Sequence, residues 1–184
     1  MSGAALKQKV TKLEAARRQL STAIELWFHD KDVVSVHTLA HASYEIVHVI
    51  SKKKNRKYDL IFDSMVVKDE HRSEFNKKIK KYAEFFKHAD RDAEATIEFP
   101  PQASEFFMMY SIMGLETIEE TKTDMESAFV WWFFLQNPHF LTDNGRKLLA
   151  NNIPLEHIEE TRRAKKSDFL HAFINARNRL KVRK

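Results

Sequence analysis

The chain has 184 residues, 43% of them apolar and 31% charged, with a formal net charge of +5 and a pI of about 9.3. It contains no cysteine, which removes disulfides, iron–sulfur clusters, thiolate zinc sites and cysteine nucleophiles from consideration. Three glycines and four prolines against fourteen phenylalanines leave few tight turns, an argument against sandwiches and barrels and for long helices with short connections.

A first helix is expected from about Ala4 to Phe28, because Leu6, Val10, Leu13, Leu20, Ile24 and Trp27 recur at three- and four-residue spacing. Arg17 occupies the one gap in that seam. An unpaired buried charge is not tolerated, so it must snorkel outward, the expected outcome, or find a carboxylate. Asp32 is a plausible N-cap for a second helix over about Val33 to Ser51, apolar on most sides and therefore central. Lys52 to Lys57 reads as a basic loop, and Asp59 to Val67 as a short apolar piece expected to be helical. A third long helix is expected from about Glu70 to His88, with Phe75, Ile79, Tyr82 and Phe86 inward and Lys77, Lys78, Lys80 and Lys81 opposite. Thr96 to Pro101 reads as a short extended stretch closed by two prolines.

Helices resume from about Gln102 to Thr121. Thr123-Asp-Met-Glu126 is a capping box for the next, which carries Phe129 to Leu135 and stops before Pro138. A short turn bearing Leu148 and Leu149 follows, then a charged helix near Pro154 and a last one capped by Ser167. The expected architecture is all-α: a bundle of about four to seven helices, at most a short extended segment near residues 96–99, and more than about 60% helix. Residues 1–184 read as a single helical domain, with 1–92 as its nucleus and the aromatic-rich 102–184 packed over it. Of the adjacent Trp131 and Trp132 only one is expected to be buried, since helical neighbours point about 100° apart.

The longest apolar run, Ala128 to Leu135, is far short of the roughly 18 to 20 residues of a membrane span. Met1 to Leu6 leads straight into Lys7, Lys9 and Lys12 with no apolar signal core, so a cytoplasmic location is expected. With only Gly3, Gly114 and Gly145 there is no glycine-rich phosphate loop. Two polar clusters in apolar settings remain. On the second helix His37, His41, Tyr44 and His48 share a face, and Glu45-x-x-His48 has the spacing of helical-bundle metal sites, so His37, His41, Glu45 and His48 form a candidate metal set. The plainer alternative is that these histidines serve as caps or core hydrogen bonders. The second cluster is Lys87-His88-Ala89-Asp90-Arg91-Asp92. There His88 is a candidate general acid or base oriented by Asp90, with Arg91, Lys87 and Asp92 as ligand-binding residues and a solvated turn as the plain alternative. Packed antiparallel, the second and third helices would bring His37 within about 10 Å of His88, making it a third catalytic candidate in a partly desolvated cleft. Arg17 is counted with the ligand-binding residues.

Basic stretches at Lys52–Lys57, Lys77–Lys81, Arg162–Lys166 and Arg177–Lys184 could track a phosphate backbone, or be ordinary solvated faces. The helical pattern over residues 1–92, with Lys87-His88 ending a helix, resembles the HEPN class of small helical bundles. That resemblance implies a polar groove, often across a dimer, that binds nucleotides or RNA, which many members cleave. The class's Arg-x4-6-His cleavage motif is absent here. The leading expectation is a HEPN-like bundle that binds, and in its enzymatic form processes, RNA or a nucleotide. The alternatives are a metal-binding bundle and a non-enzymatic homodimer burying the Trp131-Trp132 face.

Overall fold

A computed structural model describes residues 7–54, 61–63, 68–90, 92–152 and 155–182. Among these residues there are eight α-helices, two short 3-10 turns and no strand, one helix more than the upper expectation. The 96–99 stretch is irregular rather than paired.

Helix α1 (Lys12–Phe28) begins eight residues later than its apolar spacing suggests. Thr11 caps it: its hydroxyl accepts from Glu14 N at 3.1 Å, while the Glu14 carboxylate accepts from Thr11 N at 2.8 Å. A reciprocal cap of this kind fixes the first turn, and Lys7 to Thr11 lie outside the helix. After a turn in which Asp30 takes a positive φ of 49°, α2 (Val33–Lys53) starts on Asp32, whose side chain accepts from Ser35 N at 2.7 Å. As its all-round apolarity requires, α2 is central. It packs on α1, on α3 (Asp69–Lys87) and on α4 (Ala103–Glu119).

The α2–α4 approach is very close at Gly114, where an added Cβ would stand 2.3 Å from Val47 Cγ1. Gly114→Ala should therefore destabilise the protein by about 1–3 kcal/mol through overpacking. The alanine's helix-propensity gain of about 1 kcal/mol runs the other way and is outweighed. Urea unfolding of Gly114→Ala, alone and with Val47→Ala to restore the space, checks this; a single variant as stable as the parent would refute the tight contact.

The second half covers α1. Helix α5 (Asp124–Gln136) carries the expected capping box, and α6 (Asp143–Asn152), α7 (Leu155–Arg163) and α8 (Lys166–Val182) follow. Ser167 lies inside α8 rather than capping it. Trp27 meets Phe129 and Trp132 edge-on, at 5.0 and 6.2 Å between ring centroids, and Trp132 meets Phe169 at 5.1 Å. Trp132 is buried and Trp131 only half-buried, as neighbouring helical positions require. Trp132 is thus spent on the core and is no part of an exposed two-tryptophan face. Among the described residues no helix is long and apolar enough to cross a membrane.

Candidate functional site

His37 and His41 are both fully buried, one turn apart on α2. The rings of Tyr82, Phe86, Phe99 and Phe107 surround His37 at 4.9–6.1 Å, and Phe107 lies 4.9 Å from His41. His37 Nδ1 shares a 3.1 Å hydrogen bond with the Ser104 hydroxyl, whereas His37 Nε2 and His41 Nε2 have no hydrogen-bond partner among the described residues. His41 Nδ1 faces Glu45 at 3.5 Å, too long for a hydrogen bond, and Lys87 reaches the same carboxylate at 3.5 Å. Burial pushes both imidazoles down to about 4. The neighbouring His41 and Lys87 add to the effect on His37, and Lys87 and Lys80 to that on His41. Both rings are therefore neutral at neutral pH.

Neither fits the roles expected of it. Among the described residues no group of three or more His, Asp or Glu side chains is placed to hold a metal ion. The geometry explains this: eleven helical residues set His37 about 16 Å from His48 along the axis. His48 packs instead on Phe62 and Tyr44.

The Lys87–Asp92 cluster divides over α3. Lys87 turns toward α2 and Glu45, while His88 turns away from them and is 55% exposed, its Nε2 3.4 Å from Glu84 and its Nδ1 3.9 Å from Asp90. His88 and Asp92 line a cleft of about 330 Å³ with Lys77, Lys81, Glu84 and Phe85 of α3 and Ala95 and Ile97 of the following segment. His37 does not line that cleft, which corrects the expected shared pocket. It packs on Phe86 and Tyr82, and position 86 points about 160° away from position 88 around α3. Arg91 lies outside the described residues.

Arg17 is not among the residues that line this cleft. It does not snorkel: it donates to Glu119 through Nε and Nη2 and to Glu126 through Nη1 at 2.8 Å. Glu126, only 3% exposed, simultaneously caps α5 by accepting from Thr123 N at 2.7 Å. One guanidinium thus joins α1 to the end of α4 and the start of α5.

The basic stretches differ in what they already hold. Arg162 donates to the Leu135 carbonyl at 2.6 Å and to Glu159, Lys166 pairs with Asp30, and Arg177 and Lys181 both pair with Asp124. Lys78 pairs with Glu74. Among the described residues Lys77 and Lys81 form no ion pair, and both line the His88 cleft. The sequence left Lys77–Lys81 open between a phosphate-tracking stretch and a solvated face, and it did not join these two lysines to His88. The available signal was spacing: 77, 81, 85 and 88 follow steps of four, four and three, so two cations, a phenyl ring and an imidazole share one side of α3.

A smaller pocket at the α1–α2 corner is closed by the chain's own groups. Lys166 lies 4.3 Å over the Trp27 ring, and Trp27 Nε1 donates to Glu105 at 3.3 Å. Burial raises the Glu105 carboxyl above its usual range, with the Trp27 hydrogen bond and Lys166 opposing that shift. The chain matches no protein-family model, no curated protein and no solved structure.

Proposed function

We propose that this protein binds a phosphate-bearing ligand, a nucleotide or a nucleotide unit of RNA, in the cleft between α3 and residues 92–97. The observation that carries the reading is the pair Lys77 and Lys81, one turn apart and in no ion pair among the described residues, beside His88 and over an apolar floor of Phe85 and Ile97. Lys81 Nζ lies 5.9 Å from the centroid of the Tyr82 ring, and Glu84 and Asp92 stand on the same wall. Two ammonium groups suit a phosphate, and a phenyl ring suits the face of a base. At about 330 Å³ the cleft falls at the lower end of the small-ligand range of roughly 300–1,000 Å³. His88 is the proton-transfer group of this site, with the Glu84 carboxylate 3.4 Å from its Nε2 and Asp90 3.9 Å from its Nδ1. The ligand class agrees with the HEPN resemblance, while the residues differ from that class's Arg–His pair.

Fluorescence anisotropy of a labelled oligoadenylate, read over a salt series, tests the proposal. Lys77→Glu with Lys81→Glu should weaken binding at least about tenfold and flatten the log–log salt slope by about 0.7 for each lysine. Arg177→Glu, whose parent side chain is engaged with Asp124, should leave the affinity within about twofold. His88→Ala should keep binding and remove any RNA cleavage. An unchanged affinity in the double lysine variant would exclude the cleft as the binding site.

A further inference from the structure

On the neighbouring side of α3 lies a larger cleft, of about 490 Å³, between α3 and α4. Its walls are Phe75, Ile79 and Tyr82 from α3 and Phe106, Phe107 and Tyr110 from α4. Ile79 and Tyr82 are only half-buried and Phe106 is 41% exposed, so the apolar surfaces of the two helices face one another without meeting. Among the described lining residues Lys78 carries the one formal charge, and no acid is among them. Lys77 and Lys81, on either side of it along the helix and in no ion pair among the described residues, add to the positive field, although they face the cleft that Glu84 and Asp92 also line. Lys78 itself is held by Glu74 at 2.8 Å, but both side chains are about 70% exposed and such surface pairs are readily exchanged.

We infer that this cleft binds the hydrocarbon chain of a single-chain anionic amphiphile of the fatty-carboxylate class, with the carboxylate at Lys78. Hydrocarbon and aromatic walls reward burial of methylenes and offer few fixed partners to a polar ligand, which would lose its hydration uncompensated. The positive lip selects the sign of the headgroup: a carboxylate gains a charge-assisted partner there, and a quaternary ammonium is repelled. Charge complementarity at the lip and the apolar walls of the open cleft thus specify the two ends of one ligand. This inference concerns a different cleft from the phosphate site and stands independently of it.

Calorimetric titration of the full-length protein with octanoate, decanoate and dodecanoate below their micellar concentrations tests it, with dodecyltrimethylammonium as the cationic control. Affinity should rise about three- to fourfold for each added methylene, the ratio that corresponds to a buried CH2. Dodecanoate should bind at least about tenfold more tightly than the ammonium, and Lys78→Glu should reverse that order. Ala103→Trp, at a half-buried position on the cleft wall, should fill the space and abolish binding while circular dichroism and the melting temperature show the helices intact. Affinity independent of chain length would overturn the inference, as would equal binding of both headgroups or unchanged binding by a folded Ala103→Trp protein. An acidic amphipathic peptide that binds where dodecanoate does not would also overturn it, in favour of a protein partner.

Discussion

Acidification from pH 7 to pH 4.5 should cost this protein several kcal/mol of stability, and His37 and His41 should account for most of the loss. Both rings are neutral in the folded chain, with pKa values pushed down to about 4 by burial and by the nearby cations. In the unfolded chain each titrates near the ordinary value of about 6.5. Between those values the unfolded chain takes up protons that the folded chain refuses, so stability is full above about pH 6.5 and falls as the pH drops toward 4. Each ring contributes up to about 3 kcal/mol across that window. Glu105 runs the other way: its raised carboxyl favours the folded state at low pH, and that contribution is lost as the pH rises through its folded value. Urea melts at half-unit pH steps should therefore show a steep fall below about pH 6.5. His37→Gln with His41→Gln should be weaker at pH 7 but nearly flat over the same range, apart from the carboxylate terms both proteins share. Parallel pH profiles for parent and double variant would contradict the buried neutral pair.

Arg17→Leu should destabilise the fold by about 3–5 kcal/mol, the cost of leaving a buried charge without its partner. The charge stranded is Glu126, nearly inaccessible to solvent and fixed in place by its capping bond to Thr123. Glu119, more exposed, can turn to water and contributes less. Replacing both members, Arg17→Leu with Glu126→Gln, should recover about half of the loss, because the neutral amide can still accept from Thr123 N and no buried charge remains. Thermal and urea unfolding of the two variants give the comparison. A loss below about 1 kcal/mol for Arg17→Leu would mean that the guanidinium is no tie between α1, α4 and α5.

The helices were legible because three- and four-residue apolar spacing is local information, and so were the caps at Asp32 and Thr123. The Thr11–Glu14 box has the same pattern as Thr123–Glu126, and it sets the start of α1 where apolar spacing alone ran on to Ala4. What the sequence could not supply was the far side of each contact. Arg17 is an anomaly in its seam, yet its carboxylates lie more than 100 positions away. The histidine stripe on α2 was correctly read as one face. Whether that face is a metal site or a core depended on Phe99 and Phe107, which arrive from elsewhere in the chain and enclose His37. At the end of α3 the order Lys87, His88 put two residues side by side that a helix turns about 100° apart, so one faces Glu45 and the other the cleft.

The proposed ligand class is tested most directly by mapping where a nucleotide sits. Amide and histidine-ring resonances of the 15N-labelled protein, followed during titration with adenosine monophosphate, report that position residue by residue. Shifts concentrated at Lys77, Lys81, Phe85, His88 and Ile97, with His37 and His41 unmoved in their core, are the predicted result. Saturable shifts at Arg162, Arg177 and Lys181 with none around His88 would place the anion site elsewhere and remove the α3 cleft from the function.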